Sequence, residues 1–302
     1  MHNVQGNAQK PHRTTTAASD QANANRIPPS LENIRYGPYE RNVLDLWQAE
    51  SISPTPLLVF FHGGAYRTGD KSRFPPALQR HCLESGISFA TANYRYSQQA
   101  QYPGPMLDGA RAVQFLRLNA PKWNLDPARF AAAGGSAGAQ ISLWIAYHDD
   151  RANPESHDPV ERQSSRLQCA LPVQMTWPAD PRDIRKLVPG DAYNSSAIKQ
   201  LFGLPETWNW DKDKVDAALD ARLKDAALVN HVAKGGPPVF ILHFAKANQP
   251  GNIHHPNFGK HLKQVLDSHG IECLHRLDTD YESLNAAYQD MVEFLKKRFE
   301  MR

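Results

Sequence analysis

Ser136 stands in a glycine-framed pentapeptide of the form G-x-S-x-G, which occupies residues 134–138. An apolar run precedes the pentapeptide and helix-like sequence follows it, so the pattern predicts a strand, a sharp turn and a helix. A strand that turns straight into a helix leaves no room for side chains beside the serine, and glycines meet that steric demand. Ser136 is therefore predicted to be a strained, exposed nucleophile at the edge of a sheet.

A second loop with complementary chemistry lies upstream. Residues 56–61 form an apolar run typical of a buried strand, and the run ends in His62-Gly63-Gly64. A loop of this kind donates backbone N–H groups to an oxyanion. A nucleophile loop and an oxyanion loop in this order predict a hydrolase.

The sequence resembles the α/β-hydrolases of the hormone-sensitive-lipase-like and feruloyl/acetyl-esterase-like group over roughly residues 31–300. Four segments carry the resemblance, and they are HGGAY at 62–66, GDKS at 69–72, NYRY at 93–96 and GGSAG at 134–138. The resemblance implies an α/β-hydrolase fold, with a mainly parallel sheet that has helices on both faces. It is specific for the fold and the nucleophile and says less about the substrate.

The same resemblance implies which groups would stabilise an oxyanion. The donors are expected to be the backbone N–H groups of Gly64, Ala65 and Ala137. Many relatives have a third glycine where this chain has Ala65, and we expect the replacement to cost little because a backbone donor needs no glycine. His62 is expected to brace the loop rather than to titrate during catalysis.

A serine hydroxyl needs an imidazole to take its proton and a carboxylate to orient that imidazole. In this fold the acid usually follows the strand that we predict at residues 238–243, and the base follows the last strand, at 272–277. Neither position is filled, because residues 244–250 contain no carboxylate and no histidine follows His275.

The base is predicted to come from the adjacent pair His254 and His255. Their loop leaves the carboxyl end of a strand on the catalytic side, and we favour His254 slightly because His255 adjoins the helix that begins at Pro256. The alternative is that His255 only caps this helix. Because the pair lacks a third ligand at helical spacing, no metal site is predicted.

Asp180 is the candidate acid, because it follows the strand ending near Gln174 and preserves the chain order of serine, acid and base. It could equally be a structural loop carboxylate. Asp278 and Asp280 are the rival candidates, since they follow the last strand, where the base would normally lie.

Alternating strand and helix patterns predict one domain at residues 31–302, with an antiparallel pair of strands at its amino-terminal edge. A helical insertion at about 177–232 is predicted to cap the pocket, although its tryptophans could merely pack it onto the body. Residues 1–30 are predicted to be a disordered tail without a signal peptide. Arg95 and Asp108 are predicted to form a buried pair that braces the loops.

Composition excludes several functional classes. A net charge of +3 on 302 residues, with scattered cations, argues against nucleic-acid binding, and no apolar run is long enough for a membrane span. The three cysteines lie far apart and are predicted to be buried free thiols. We expect a soluble protein, cytoplasmic or a mature secreted form, and composition leaves its oligomeric state open.

The predicted function is hydrolysis of small-acyl carboxylic esters through an acyl-enzyme on Ser136, without a cofactor and in an aromatic-lined pocket. One alternative is an amide or formamide hydrolase. The other is a hydrolase-like binding protein whose catalytic residues have decayed, which the missing histidine after the last strand supports.

Overall fold

The computed structural model describes residues 27–176 and 180–301. Eight strands form one sheet, and they are β1 (Leu31–Arg35), β2 (Val43–Trp47), β3 (Thr55–Phe61), β4 (Ser88–Ala92), β5 (Leu125–Gly135), β6 (Cys169–Val173), β7 (Val239–His243) and β8 (Cys273–Leu277). Residues 1–26 of the predicted tail lie outside the described residues, as does Trp177 of the predicted insertion.

The strands are arranged in the order β1-β2-β4-β3-β5-β6-β7-β8. Strands β3 to β8 run parallel to one another, whereas β2 is antiparallel to both of its neighbours, β1 and β4. The predicted antiparallel edge is therefore confirmed. Every residue of β3 is buried, as expected for a central strand covered on both faces.

Helices cover both faces of this sheet. The described α-helices are α1 (Pro76–Glu84), α2 (Gly104–Leu118), α3 (Ala137–Tyr147), α4 (Pro181–Leu187), α5 (Ser196–Leu201), α6 (Ala217–Ala226), α7 (Asn257–Ser268) and α8 (Leu284–Arg298). Alternate residues of β3 point into two separate cores, because side chains alternate across a strand. Leu57 and Val59 pack with α2, α3 and α7, whereas Leu58 and Phe60 pack with α1 and α8.

The predicted pair of Arg95 and Asp108 is present, although Arg95 is only partly buried, and the predicted buried free thiols are confirmed. The Arg95 guanidinium donates to the Asp108 carboxylate through Nε at 2.9 Å and Nη2 at 2.8 Å, and the same carboxylate accepts the Arg95 backbone N–H at 2.9 Å. The cysteines are buried free thiols at Cys82, Cys169 and Cys273. No helix of the described residues combines the length and apolar character that crossing a membrane requires.

Candidate active site

The turn at Ser136 joins the end of β5 to the start of α3. Its backbone lies in the positive-φ region, with φ of 54° and ψ of −113°, which is a strained conformation for a residue with a side chain. A Cβ on Gly138 would lie 1.9 Å from the Phe61 carbonyl oxygen, and one on Gly134 would lie 2.3 Å from backbone atoms of Gly138. Close backbone approach therefore requires these two glycines, whereas a Cβ on Gly135 would meet no atom within 4 Å.

Helix α3 turns an amide toward the nucleophile. Ala137 is the first residue of the helix, so its N–H has no acceptor within the helix and is free to bind an anion. The strained turn is held from two sides, by the Ser136 N–H donating to the Val173 carbonyl at 3.0 Å and by the Gln140 N–H donating to the Ser136 carbonyl at 3.2 Å. The turn is thus fixed by hydrogen bonds that do not involve its hydroxyl.

The oxyanion loop follows β3 and presses against the nucleophile turn. A Cβ on Gly63 would lie 3.0 Å from the Gly135 carbonyl oxygen, so the two loops are in close contact. The Gly64 carbonyl accepts the N–H groups of Arg67 and Thr68 at 2.9 and 3.1 Å, which closes a tight turn. Among the described residues, the amides of Gly64 and Ala65 donate to no acceptor, so both N–H groups remain available.

Ala65 carries more strain than its sequence position indicates. Its φ is 56°, in the left-handed region, where a residue with a Cβ costs about 1 kcal/mol relative to glycine. The expectation that alanine here costs little therefore fails for the backbone conformation, while its role as a donor stays a prediction.

His62 sits beneath the oxyanion loop as a neutral brace. Its ring stacks on Tyr94 with 4.4 Å between ring centroids, and the Tyr94 hydroxyl donates to the His62 carbonyl at 2.7 Å. Arg41 Nη2 lies 3.3 Å from Nε2 and can only donate, so Nε2 accepts and Nδ1 donates to the Gly63 carbonyl at 2.7 Å. Burial lowers the pKa of His62 to about 4, so the ring stays uncharged near neutral pH.

The segment at residues 69–72 anchors the same loop to the sheet. Asp70 accepts from Asn93 Nδ2 at 2.8 Å, and the Lys71 N–H donates to Asn93 Oδ1 at 2.6 Å. Lys71 Nζ also forms a buried ion pair with Asp45 of β2, at 2.5 Å. These contacts give the GDKS and NYRY segments a structural role in positioning the oxyanion loop.

His254 lies against the nucleophile. Its Nε2 is 2.8 Å from Ser136 Oγ, which is hydrogen-bonding distance. The loop that presents it is turned by the Asn252 side chain, whose Oδ1 accepts the His254 backbone N–H at 2.8 Å. Burial lowers the pKa of His254 below its usual value, so the imidazole is neutral near pH 7 and can accept a proton.

The neighbouring His255 makes different contacts. It is buried, and its Nδ1 accepts the backbone N–H of Asn257 at 3.1 Å, at the first residue of α7. The structure thus brings His254 to Ser136 and uses His255 to cap a helix.

Asp180 lies at the start of α4, where its carboxylate faces Arg182. It accepts the Arg182 backbone N–H at 2.9 Å and Nε at 2.8 Å, and it also accepts from Nη2. Arg182 in turn pairs with Asp220 of α6 at 2.8 Å, so these contacts tie two helices of the insertion together. Within the described residues, Asp180 makes no hydrogen bond to His254.

The rival carboxylates are also engaged with backbone groups. Asp278 accepts the Ala245 N–H at 2.7 Å, and Asp280 accepts the Leu277 N–H at 2.8 Å. Burial lowers the pKa of His254, and no described carboxylate forms a hydrogen bond or ion pair with its ring. In the described part of the chain, the imidazole therefore has a serine partner and no carboxylate partner.

Sequence reasoning missed several of the residues that enclose Ser136, namely those from the insertion and from the segments at Thr176 and Ile253. A cavity of about 20 Å³ adjoins Ser136, and its walls come from five segments of the chain, at Ala65, Tyr66, Ala137, Thr176, Ser195, Ala197, Ile198 and Ile253. Tyr66 is its only aromatic wall within the described residues, so the expected aromatic lining is largely aliphatic. Neither apolar periodicity nor a motif in the sequence indicates that Ser195 and the α5 residues Ala197 and Ile198 line this cavity. A more open cleft of about 590 Å³ adjoins Ser136 next to His254 and Arg67.

One cluster elsewhere has the residue types of a metal site. Ligand atoms of His148, Asp225 and His231 lie within 4.8 Å of one another. The two imidazoles stack with 3.7 Å between centroids, and both Nε2 atoms lie within 3.0 Å of the Asp225 backbone carbonyl. Stacked rings that direct Nε2 at one carbonyl do not converge on a cation, so we assign no metal there.

Comparison with known proteins gives consistent relatives. The family model described as BD-FAE matches residues 44–249. Two proteins of Mycobacterium tuberculosis are similar in sequence. "Probable carboxylic ester hydrolase LipM" is 29% identical over 70% of this chain and 46% of its own length, and "Esterase LipQ" is 24% identical over 73% and 50%. This chain therefore spans about half the length of either relative.

A solved structure described as a truncated form of a carbohydrate esterase from gut microbiota has the same fold. Its TM-score is 0.70 at 19% sequence identity, and the match covers 88% of this chain and 95% of the other.

Proposed function

The chain belongs to the BD-FAE family, and from that premise we propose that it is a serine hydrolase that cleaves carboxylic esters through an acyl-enzyme on Ser136. The observation that carries the proposal is the 2.8 Å separation of Ser136 Oγ and His254 Nε2. The esterase names of the relatives agree with it.

In the proposed acylation step, Ser136 Oγ attacks the ester carbonyl carbon while its proton passes to His254 Nε2. The carbonyl oxygen becomes an oxyanion that accepts from the N–H groups of Gly64, Ala65 and Ala137, each worth about 3 kcal/mol in the transition state. Collapse of the intermediate breaks the bond to the alcohol oxygen, which takes the proton from His254. Water then attacks the acyl-enzyme by the same route, and the acid product leaves.

The size of the cavity beside Ser136 supports a small acyl group. A space of about 20 Å³ is enough for about one water molecule, so it suits an acetyl methyl and would be overfilled by a long chain. The alcohol would occupy the open cleft beside His254. The short helices between β6 and β7 supply Ala197 and Ile198 to the acyl cavity, which supports a capping role for the insertion.

Asp180 remains the proposed acid on the basis of chain order alone. Its observed contacts are those of a helix cap and an ion pair to Arg182, so orienting His254 would require the carboxylate to turn away from that arginine. Without such a turn, Ser136 and His254 would act as a pair, with the imidazole held by burial and by the loop that presents it.

The decayed binding protein is the second candidate, favoured by the lack of a carboxylate on His254 in the described residues. Hydrolysis of 4-nitrophenyl acetate, together with labelling by a fluorophosphonate probe, separates the two proposals. An esterase should turn over the ester and take up one label, and Ser136→Ala should lose both. A protein that binds the ester without turnover would support the second candidate, and label retained in Ser136→Ala would refute the nucleophile.

A further inference from the structure

The cleft on the alcohol side of Ser136 is lined by one permanently charged side chain. Its described walls come from Gly64, Ala65, Arg67, Thr68, Ser136, Ile253 and His254, and burial keeps the last of these neutral. No carboxylate belongs to these walls or to those of the acyl cavity. A cleft with one sign of charge raises the local concentration of ligands with the opposite charge.

Arg67 reaches this cleft without a described counter-charge. Its Nη2 donates to Ser196 Oγ at 2.9 Å, and its Nη1 lies 3.5 Å from Gln200 Oε1, so both partners are neutral. No carboxylate of the described residues lies within ion-pair distance, whereas Arg95 and Arg182 are paired with aspartates. A guanidinium has five N–H donors, and these two contacts leave most of them free.

Resting on the proposed esterase function, we propose that Arg67 binds a carboxylate on the alcohol portion of the substrate. The alcohol side is indicated because Arg67 lines the larger, more open cleft and does not line the small cavity proposed for the acyl group. A carboxylate matches the planar fork of a guanidinium, which can donate two parallel hydrogen bonds to it. The substrate class is then small-acyl esters of alcohols or phenols that carry a carboxylate.

A purely structural role for Arg67 would have a different signature. Its two hydrogen bonds connect the oxyanion loop to α5, so their loss could loosen the site for every substrate. Loosening would reduce turnover of charged and neutral esters alike. Recognition of a carboxylate would instead change the ratio of turnover of the charged ester to turnover of the neutral ester. Both rates are measured on one preparation of each variant, so the ratio does not depend on how much of the protein is active.

The test compares 3-acetoxybenzoate with 3-acetoxybenzamide, which share an acetyl group and differ in the charge of the phenol. Each kcat/KM is divided by the rate of hydroxide hydrolysis of that ester, which corrects for the leaving group. The ratio of the corrected kcat/KM for the anionic ester to that for the neutral ester should be about three- to tenfold lower in Arg67→Gln than in the wild type, as expected for loss of a partly solvated ion pair. Arg67→Lys should keep part of the preference, and added salt should weaken it.

Two controls keep the proposal falsifiable. Arg80→Gln removes one exposed cation from α1, outside the cleft, and should leave the ratio at its wild-type value. Binding of both intact esters to Ser136→Ala, with and without Arg67→Gln, gives the same comparison without turnover. An unchanged ratio in Arg67→Gln, in kinetics or in binding, would overturn the proposal, whereas absence of wild-type turnover with selective binding of the anion would overturn only the proposed catalysis.

Discussion

Replacing the two adjacent histidines separately is the sharpest test of the proposed site. His254 Nε2 lies 2.8 Å from Ser136 Oγ, whereas His255 Nδ1 accepts a hydrogen bond from the Asn257 N–H. His254→Ala removes the group that takes the serine proton and should lower kcat by about 10⁴-fold, which corresponds to about 5.4 kcal/mol of transition-state stabilisation. His255→Ala should lower kcat by no more than a few fold.

His255→Ala should lower the stability of the protein rather than its turnover. It removes a hydrogen bond at the start of α7, which is worth about 1 kcal/mol in comparable helix caps. His255→Asn is the matched control, because an asparagine side chain can restore the cap. Steady-state hydrolysis of 4-nitrophenyl acetate measures the first effect, and denaturant unfolding measures the second.

The pH dependence of turnover provides an independent test of His254. The protonated imidazole cannot accept the serine proton, so turnover should fall as pH drops through the pKa of His254. Burial lowers that pKa below its usual 6.5, so the midpoint of the acid limb should lie below 6.5. In the unfolded chain His254 has its usual pKa and therefore binds a proton at a higher pH than in the folded protein. As the pH falls below about 6.5, protonation of His254 should therefore lower the free energy of unfolding.

Chemical rescue distinguishes a lost base from a disturbed loop. Imidazole added to His254→Ala should recover part of the activity, because the substitution vacates space beside Ser136 Oγ, and Ser136→Ala should show no recovery. Wild-type rates in both histidine variants would refute the reasoning, and so would an acid limb that persists unchanged in His254→Ala.

Three further predictions concern other features of the molecule. If Asp180 orients His254, Asp180→Asn should lower turnover about 10⁴-fold. Near-normal turnover with a lower melting temperature would instead show that Asp180 only caps α4. Gly138→Ala should destabilise the protein by about 3 kcal/mol or more, since its Cβ would lie 1.9 Å from a carbonyl oxygen, and Gly135→Ala is the unhindered control in the same unfolding assay. Thr91→Val in β4 should raise the free energy of unfolding by about 1 kcal/mol, because the buried hydroxyl has no partner in the described residues; a loss of stability would contradict this.

The parts of the site that sequence could predict are those set by local sterics. The turn at Ser136 follows from glycines that must lie against backbone atoms, and that requirement is visible in the spacing itself. The order of strands and helices follows from apolar periodicity, and its predicted antiparallel edge is present in β1 and β2. A helix is predicted to begin at Pro256, and α7 begins one residue later, at Asn257.

Other features depend on contacts between distant segments. Which histidine meets the nucleophile is decided by the path of one loop, and the sequence offers two adjacent candidates with the same chemistry. The proposed acyl cavity takes Ser195 and Ile198 from the insertion and Thr176 from the segment that follows β6, and none of these positions carries a pattern. The partner of Asp180 is an arginine two residues away, a local pairing that chain-order reasoning does not anticipate.

Three of the seven described non-glycine residues at positive φ lie in the two loops that meet at Ser136. Ala65, Tyr66 and Ser136 all adopt positive φ, and each belongs to one of the two loops that meet at the nucleophile. Such conformations persist only where surrounding bonds enforce them, and here the Ser97 N–H donates to the Tyr66 carbonyl at 2.7 Å while Val173 holds the Ser136 N–H. None of these bonds uses His254 or a carboxylate. The proposed oxyanion donors are therefore held independently of the proposed base and acid, so variants that lose either group should retain oxyanion stabilisation and hydrolyse esters faster than water alone.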